Sequence, residues 1–463
     1  MVTRRITLVF AALILLCASA FSQVPSDAEI RKILADRIGD ERAGLAMVVG
    51  VVDANGRRVV AYGSLAKNDN RRLDGDTVFE IGSITKVFTS LVMMDMARRG
   101  EVAVTDPVSK YLPASVKVPE RNGRQITLAD LSTHSSGLPR MPGNFAPKDP
   151  SNPYVDYTVQ QLYDFLSGYR LERDIGSEYE YSNLGAGLLG HALALRAGMS
   201  FEELVRSRIC VPLGMKDTRM VITPEMNARL AVGHNNALAP VPNWDLPTLS
   251  GAGGFRSTVN DVLSFLAANM GFVESPLAPA LADAVSIRQP GENPFTKMAY
   301  GWEVSTKDGN SIIWKGGATG GYRTYMGYDP KARVGVVVLS NMLRAAMDEI
   351  GPHVLNSSNP LSQMRPLAYP EIALDTKVFD RYVGSYQFDP AETIMVSRDG
   401  DRFYAQLTGQ GKLEIFAETE RRFFYKVVDA KLTFDVDPQG ASTQVTIHQN
   451  GRDSVAKRLN EAK

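Results

Sequence analysis

Ser83-Ile84-Thr85-Lys86 opens a strongly helical stretch, directly after the strand-like run Thr77-Val78-Phe79-Glu80-Ile81. Residues three apart share a helix face, so the spacing predicts the Lys86 ammonium beside the Ser83 hydroxyl. A serine hydroxyl attacks poorly until a neighbouring base takes its proton, and a lysine with a lowered pKa serves as that base. These two residues predict a nucleophilic serine that forms an acyl-enzyme.

Four letters of this kind recur by chance, and position decides between the copies. Ser64-Leu65-Ala66-Lys67 and Ser454-Val455-Ala456-Lys457 match the same pattern. Ser64 lies between a strand-like run and the turn-forming Asn68-Asp69-Asn70, and Ser454 falls in an alternating strand, so neither begins a helix. After Ser83 the apolar residues Ile84, Val87, Phe88, Leu91, Val92 and Met94 recur at helical spacing. Arg98 and Arg99 suit the last turn and Gly100 the stop. Two further elements follow in order. Tyr181-Ser182-Asn183 leads into a Gly-, Ala- and Leu-rich segment from Leu184 to Leu195, and Lys315-Gly316-Gly317 ends the strand-like Ser311-Ile312-Ile313-Trp314. A second lysine, in Lys307-Asp308-Gly309, belongs to a hairpin turn between Trp302-Glu303-Val304 and Ile312-Ile313-Trp314.

Together these elements resemble the penicillin-recognising serine hydrolases: β-lactamases, D-alanyl-D-alanine peptidases and their esterase relatives, whose sister pattern is S-x-x-K, S-D-N and K-T-G. The tyrosine in the middle motif resembles the class C β-lactamase branch, as do Phe79-Glu80-Ile81-Gly82-Ser83, the stretch from Ile126 to Pro139, Pro212-Leu213-Gly214-Met215, and Lys315 to Gly321. Thr85 departs from the Ser or Ala usual in that class. The likeness runs from about residue 28 to about residue 345.

The resemblance implies roles. Ser83 attacks the carbonyl, Lys86 shares its proton, and Tyr181 relays it to the leaving nitrogen. A free tyrosine titrates near ~10, so Tyr181 needs the cations of Lys86 and Lys315 beside it. Asn183 is expected to bond Lys86 or the substrate's acyl side chain. Lys315 is expected to attract a substrate carboxylate, and Gly317 to let substrate approach the strand closely. The backbone N–H groups of Ser83 and Ala318 are expected to form the oxyanion hole. Gly316 replaces the hydroxyl-bearing residue of Lys-Thr-Gly, which removes one carboxylate ligand, while the retained Lys315 favours a small-molecule or peptide substrate that bears a carboxylate. The implied reaction is hydrolysis of an amide in a β-lactam or a D-amino-acid peptide. A carboxylesterase using the same residues and a non-turnover penicillin sensor are the alternatives.

Composition bounds the remainder. The 463 residues include 51 basic and 51 acidic side chains and no basic block suited to nucleic acid. The five histidines (134, 191, 234, 353 and 448) form no ligand-spaced pair, so neither metal nor cofactor is expected. His134 is expected to hydrogen-bond within its own loop. Arg4 and Arg5 precede the apolar run Ile6 to Ala18, and Ala18-Ser19-Ala20 offers a cleavage site. Residues 1–22 therefore read as a secretory signal, with a periplasmic or secreted product and no membrane span after its removal. Leu16 before Cys17 argues against lipidation, and Cys210 reads as a buried small hydrophobe.

A hydrolase domain is expected over 23–350, a linker rich in Asn, Ser and Pro over 351–372, and a second domain over 373–463. The expected fold of the first is α/β (α+β): an antiparallel sheet flanked by helices with a helical subdomain, and the serine in the cleft between them. The second shows short strands broken by turns (393–396, 402–407, 412–416, 422–427, 432–436 and 444–448), which suggest a small antiparallel β-barrel. It resembles the lipocalin-like domain attached to some penicillin-recognising peptidases.

Overall fold

The computed structural model describes residues 24–39, 44–236, 238–307, 310–344, 347–362, 371–389, 392–408, 412–425, 430–449 and 452–459. The proposed signal segment and the Asp308-Gly309 turn lie outside them.

The catalytic region is built on one eight-stranded sheet. Its strands are β1 (Ala46–Asp53), β2 (Gly56–Gly63), β3 (Gln289–Pro290), β4 (Thr296–Met298), β5 (Glu303–Lys307), β6 (Asn310–Ala318), β7 (Arg323–Asp329) and β8 (Val334–Ser340). They run in the order β2-β1-β8-β7-β6-β5-β4-β3, so the chain's first hairpin closes against β8, the last strand of this sheet in sequence, through an antiparallel ladder that sets Val49 opposite Val338. Alternate residues of a strand face opposite sides, and β1 is apolar on both. Met47, Val49 and Val51 pack with Ile30 and Leu34 of helix α1 (Asp27–Ile38). Ala46, Val48 and Val52 face the larger core, which contains helices α2 (Thr85–Arg98), α3 (Asn183–Ala197) and α4 (Val259–Asn269). Helix α5 (Ile350–Leu355) packs on the α1 side with Tyr325, Val336 and Val338. The stretch read as linker thus begins as a helix of the catalytic region, because Val354 and Leu355 have apolar surface to cover.

Helix α2 is buried on every side from Thr85 to Met96, as a helix through the centre of a domain must be. Ser83 sits just ahead of it in a 3-10 turn, Gly82–Ile84, and not in the α-helix itself. The turn is held between layers. Phe79–Glu80 pairs with Arg256–Ser257, and the Ile81 carbonyl accepts from Thr324 Oγ1 of β7 at 3.0 Å. The Gly-, Ala- and Leu-rich segment forms helix α3, with the Ser182 hydroxyl accepting from the Gly185 N–H as an N-cap. Cys210 is buried, and burial pushes its thiol up to about 12.

The C-terminal region is a closed antiparallel barrel of eight strands in sequence order: β9 (Gly384–Asp389), β10 (Glu392–Asp399), β11 (Arg402–Leu407), β12 (Leu413–Ala417), β13 (Arg422–Tyr425), β14 (Ala430–Val436), β15 (Ser442–Gln449) and β16 (Arg452–Arg458). Sequence reading found most of these and omitted β9, although Gly384-Ser385-Tyr386-Gln387-Phe388-Asp389 alternates and Tyr386 points into the core. Phe379, Tyr382, Phe403, Phe423 and Phe434 fill the interior, with Phe379 stacked on Phe403 at 3.9 Å. Eight strands leave room for side chains to fill, and here aromatic rings do so.

The close approach of β6 to the nucleophile turn generates a test. A Cβ on Gly317 would collide with the Ile81 carbonyl oxygen and the Thr324 hydroxyl, whereas one on Gly316 would meet nothing nearer than Trp314 at 3.7 Å. Gly317→Ala should destabilise the protein by about 1–3 kcal/mol and slow acylation of Ser83. Gly316→Ala should stay within about 1 kcal/mol of the parent. Urea midpoints of the two variants check the contrast; equal midpoints would remove the packing argument.

Candidate active site

Ser83, Lys86, Tyr181 and Asn183 converge although they come from two segments far apart in the chain. Lys86 Nζ donates to Ser83 Oγ at 3.0 Å, to Asn183 Oδ1 at 2.8 Å and to the Ala252 carbonyl at 2.7 Å. The Tyr181 hydroxyl lies 2.6 Å from Ser83 Oγ. Asn183 is fixed from its other end, its Nδ2 donating to the Tyr154 hydroxyl at 3.1 Å. The predicted i, i+3 proximity therefore holds, with the 3-10 turn bringing the pair onto one edge.

Tyr181 is the electrostatic centre of the group. Lys86 Nζ, Lys315 Nζ and the Arg140 guanidinium carbon lie 4.7, 4.9 and 5.0 Å from its ring centroid. Burial alone would raise the phenol's pKa, but the charges of Lys86 and Lys315, with the hydrogen bonds from Lys86 and Ser83, outweigh it and bring it down to about 8. Burial also pulls Lys86 down to about 8; Tyr181 opposes this, while Lys315 and Arg140 add to it. A lysine and a tyrosine brought to the same range can exchange a proton at little cost. At 2.6 Å from the serine, the Tyr181 oxygen, once its own proton has passed to Lys86, can receive the hydroxyl proton as the serine oxygen attacks.

His134 braces this arrangement from below. Its ring lies 4.6 Å from that of Tyr181, and its Nδ1 accepts from the Ser182 N–H at 3.2 Å. Burial and then the charges of Lys315, Lys86 and Arg140 hold it well below its ordinary pKa, so it stays a neutral acceptor. The expected bond within its own loop gives way to one reaching the motif that carries Tyr181.

Strand β6 forms one wall. Thr319 N donates to the Tyr322 carbonyl, so Ala318 and Arg323, opposite each other in the β6–β7 register, are a non-hydrogen-bonded pair. Bonded and non-bonded pairs alternate in an antiparallel ladder. The N–H groups of Gly316 and Ala318 therefore point away from β7, and β5 pairs with β6 only as far as Trp314. Gly82 has φ +48°, and a Cβ there would lie 2.7 Å from Ala318 N, which puts the Ala318 backbone directly against the nucleophile turn.

Two expectations change. Gly317 is required by the protein's own packing against Ile81, not by room for substrate. Lys315 is not a free cation: Nζ donates to Glu303 Oε1 at 2.7 Å, with the lysine side chain 1% and the glutamate 14% exposed. Burial would lower the lysine's pKa, but the Glu303 carboxylate and Tyr181 hold it above the ordinary value. Sequence reading missed Glu303: the hairpin pattern offered as signal only its register opposite Trp314, and its reach to Lys315 is seen in the folded chain alone. Arg140, Tyr154 and Trp244 carried no such signal, since they sit in loops without periodicity.

Ser83, Tyr181, Asn183, Arg140, Glu303 and Lys315 line a cavity of about 860 Å³, behind which Lys86 and His134 lie buried, within the usual range for a small-molecule site. Among the described residues no cluster of three or more His, Cys, Asp or Glu could hold a metal ion, and no described helix is long and apolar enough to cross a membrane.

The fold and cleft are those of a serine hydrolase. The chain belongs to the β-lactamase family, whose pattern matches residues 30–355; residues 368–458 match a domain of unknown function, DUF3471. It is 31% identical to the D-alanyl-D-alanine-carboxypeptidase/endopeptidase AmpH of Escherichia coli over 79% of this chain and 99% of that protein. It is 25% identical to penicillin-binding protein 4* of Bacillus subtilis, over 86% and 91%. Among solved structures, a class C β-lactamase from Rhodobacter sphaeroides aligns with TM-score 0.60 at 25% identity over 71% of this chain and 97% of that one. A β-lactamase/D-alanine carboxypeptidase from Yersinia pestis, complexed with citrate, gives 0.57 at 26% over 73% and 96%.

The shared proton of Lys86 and Tyr181 sets a pH dependence. Transfer from Ser83 needs an unprotonated acceptor, so acylation should climb as pH rises through about 8. Tyr181→Phe should slow it about 10²–10⁴-fold and flatten that limb. Stopped-flow acylation rates across the range test this; a wild-type rate already flat through that region would contradict it.

Proposed function

We propose that this protein hydrolyses an amide of a β-lactam or of a D-amino-acid peptide through an acyl-enzyme on Ser83. The observation that carries the reading is the Ser83 hydroxyl held between Lys86 Nζ at 3.0 Å and the Tyr181 hydroxyl at 2.6 Å. Ser83 attacks the carbonyl carbon, and its proton passes to Tyr181 or Lys86. The relay then delivers it to the departing nitrogen, and water cleaves the ester by the reverse path. The Ser83 and Ala318 N–H groups stabilise the oxyanion, each donor contributing about 2.7–4 kcal/mol in comparable sites. Asn183 positions Lys86 and faces the acyl side of the cleft.

Substrate identity follows from the kinship with penicillin-binding and D-alanyl-D-alanine-cleaving proteins, and export from the apolar run at 6–18. The product acts outside the cytoplasm, in the periplasm or beyond, after loss of residues 1–22. Catalysis belongs to the region expected over 23–350 together with the helix that ends at Leu355, and the chain then leads on to the domain expected over 373–463. One observation favours the carboxylesterase alternative: Glu303 already neutralises Lys315, and Gly316 brings no hydroxyl, so the Lys-Gly-Gly strand by itself offers a substrate carboxylate little.

Intact mass of the mature chain mixed with a penicillin, beside Ser83→Ala, separates the readings. The expected result is a Ser83-dependent adduct. Fast decay with turnover identifies a β-lactamase, and persistence a peptidase or a sensor. Absence of any adduct, with turnover of a simple aryl ester, would replace the proposal with the esterase.

A further inference from the structure

The cavity wall contains three cations, Arg140, Lys315 and Arg323, and their partners differ. Lys315 is committed to Glu303 at 2.7 Å, almost wholly out of solvent. Arg323 is committed to Asp348 at 2.9 Å. Among the described residues Arg140 forms no ion pair. Its guanidinium lies against Tyr181, 5.0 Å from the ring centroid, whose hydroxyl touches the nucleophile. The backbone beneath it is fixed, because the Arg140 carbonyl accepts from the N–H groups of Asn183 and Leu184 at 3.0 and 3.2 Å. The side chain itself is exposed and rests on the ring, which sets its charge beside the reaction centre.

The chemistry of the three groups selects between them. A carboxylate arriving at Lys315 would stand beside the Glu303 carboxylate in a nearly dry pocket, where like charges repel strongly. A guanidinium resting on an aromatic face gains from the ring and keeps its in-plane N–H donors for another partner. Those donors match both oxygens of a carboxylate.

We propose that Arg140 is a specificity-determining residue: its guanidinium, rather than the Lys315 ammonium, receives the carboxylate of the substrate. This rests on the reading of a carboxylate-bearing β-lactam or D-amino-acid peptide and names the group that recognises it. Lys315 then acts on Tyr181, and Glu303 holds it in place for that purpose.

The test uses the full mature chain and two peptides ending in D-alanyl-D-alanine, identical except that one closes in a free carboxylate and the other in a carboxamide. The ratio of their kcat/KM values cancels any change common to both. Wild type should favour the acid, and Arg140→Gln should lower that ratio about tenfold or more. Arg140→Lys should restore part of it, since a point charge lacks the fork. A ratio unchanged in Arg140→Gln, or lost in Arg323→Gln instead, would overturn the assignment. Should wild type cleave neither peptide, the substrate reading fails on its own, and Arg140 is read by protection of Ser83 from a fluorophosphonate. Protection by N-acetyl-D-alanine but not by its amide, abolished in Arg140→Gln, supports the carboxylate site; equal or absent protection in wild type overturns it.

Discussion

Three positive groups around one buried phenol are the constraint on which the site depends. A tyrosine shielded from water resists ionisation, and a lysine shielded from water resists protonation. Placed together, with Lys315 and Arg140 behind them, each corrects the other: the cations make a phenolate tolerable, and the crowding of cations makes a neutral Lys86 tolerable. A serine between two such groups has an acceptor for its proton on either side. Neither lysine could do this alone, since an isolated buried ammonium merely loses its charge.

The architecture serves that cluster by bringing distant backbone close. The 3-10 turn supplies Ser83 and helix α2 after it Lys86, the start of α3 supplies Tyr181 and Asn183, and β6 supplies Lys315 and Ala318. These elements meet only because Gly82 and Gly317 let the nucleophile turn and the strand end touch. Buried polar contacts then fix the registration, among them Thr324 to Ile81 and Lys86 to Ala252. Interiors packed this tightly transmit small displacements, so a methyl group at Gly317 reaches the nucleophile without touching substrate.

Much of this was legible in the sequence. The helix after Ser83, the capped helix after Tyr181 and the strand before Lys315 each carry a local pattern, and local pattern is what sequence reading detects. The sheet order was not legible, because the pairing of β1 with β8 joins residues almost 300 positions apart. Gly317 was read as the place where substrate approaches the strand, whereas the group packed against it is Ile81, which no periodicity names. His134 stood out by type, but its bond to the Ser182 N–H depends on how two loops fold over each other. Strand β9 was missed although Ser385-Tyr386-Gln387-Phe388 alternates as the other barrel strands do. Arg140 sits in a loop whose only order comes from what it packs against.

The pairing of Lys315 with Glu303 bears on how such a site acquires its substrates. A cation that tunes a catalytic phenol must stay where it is, charged, through the whole reaction. A cation that binds substrate must exchange partners at each turnover. One lysine under a buried carboxylate is suited to the first task and unsuited to the second, because separating a shielded ion pair leaves two uncompensated charges. Keeping Glu303 therefore commits Lys315 to Tyr181, and recognition of the substrate's charge passes to a group with no internal claim on it. Gly316 fits this division: where the strand no longer grips a carboxylate, the absence of a side chain costs little and widens the cleft toward Trp314 and Tyr325.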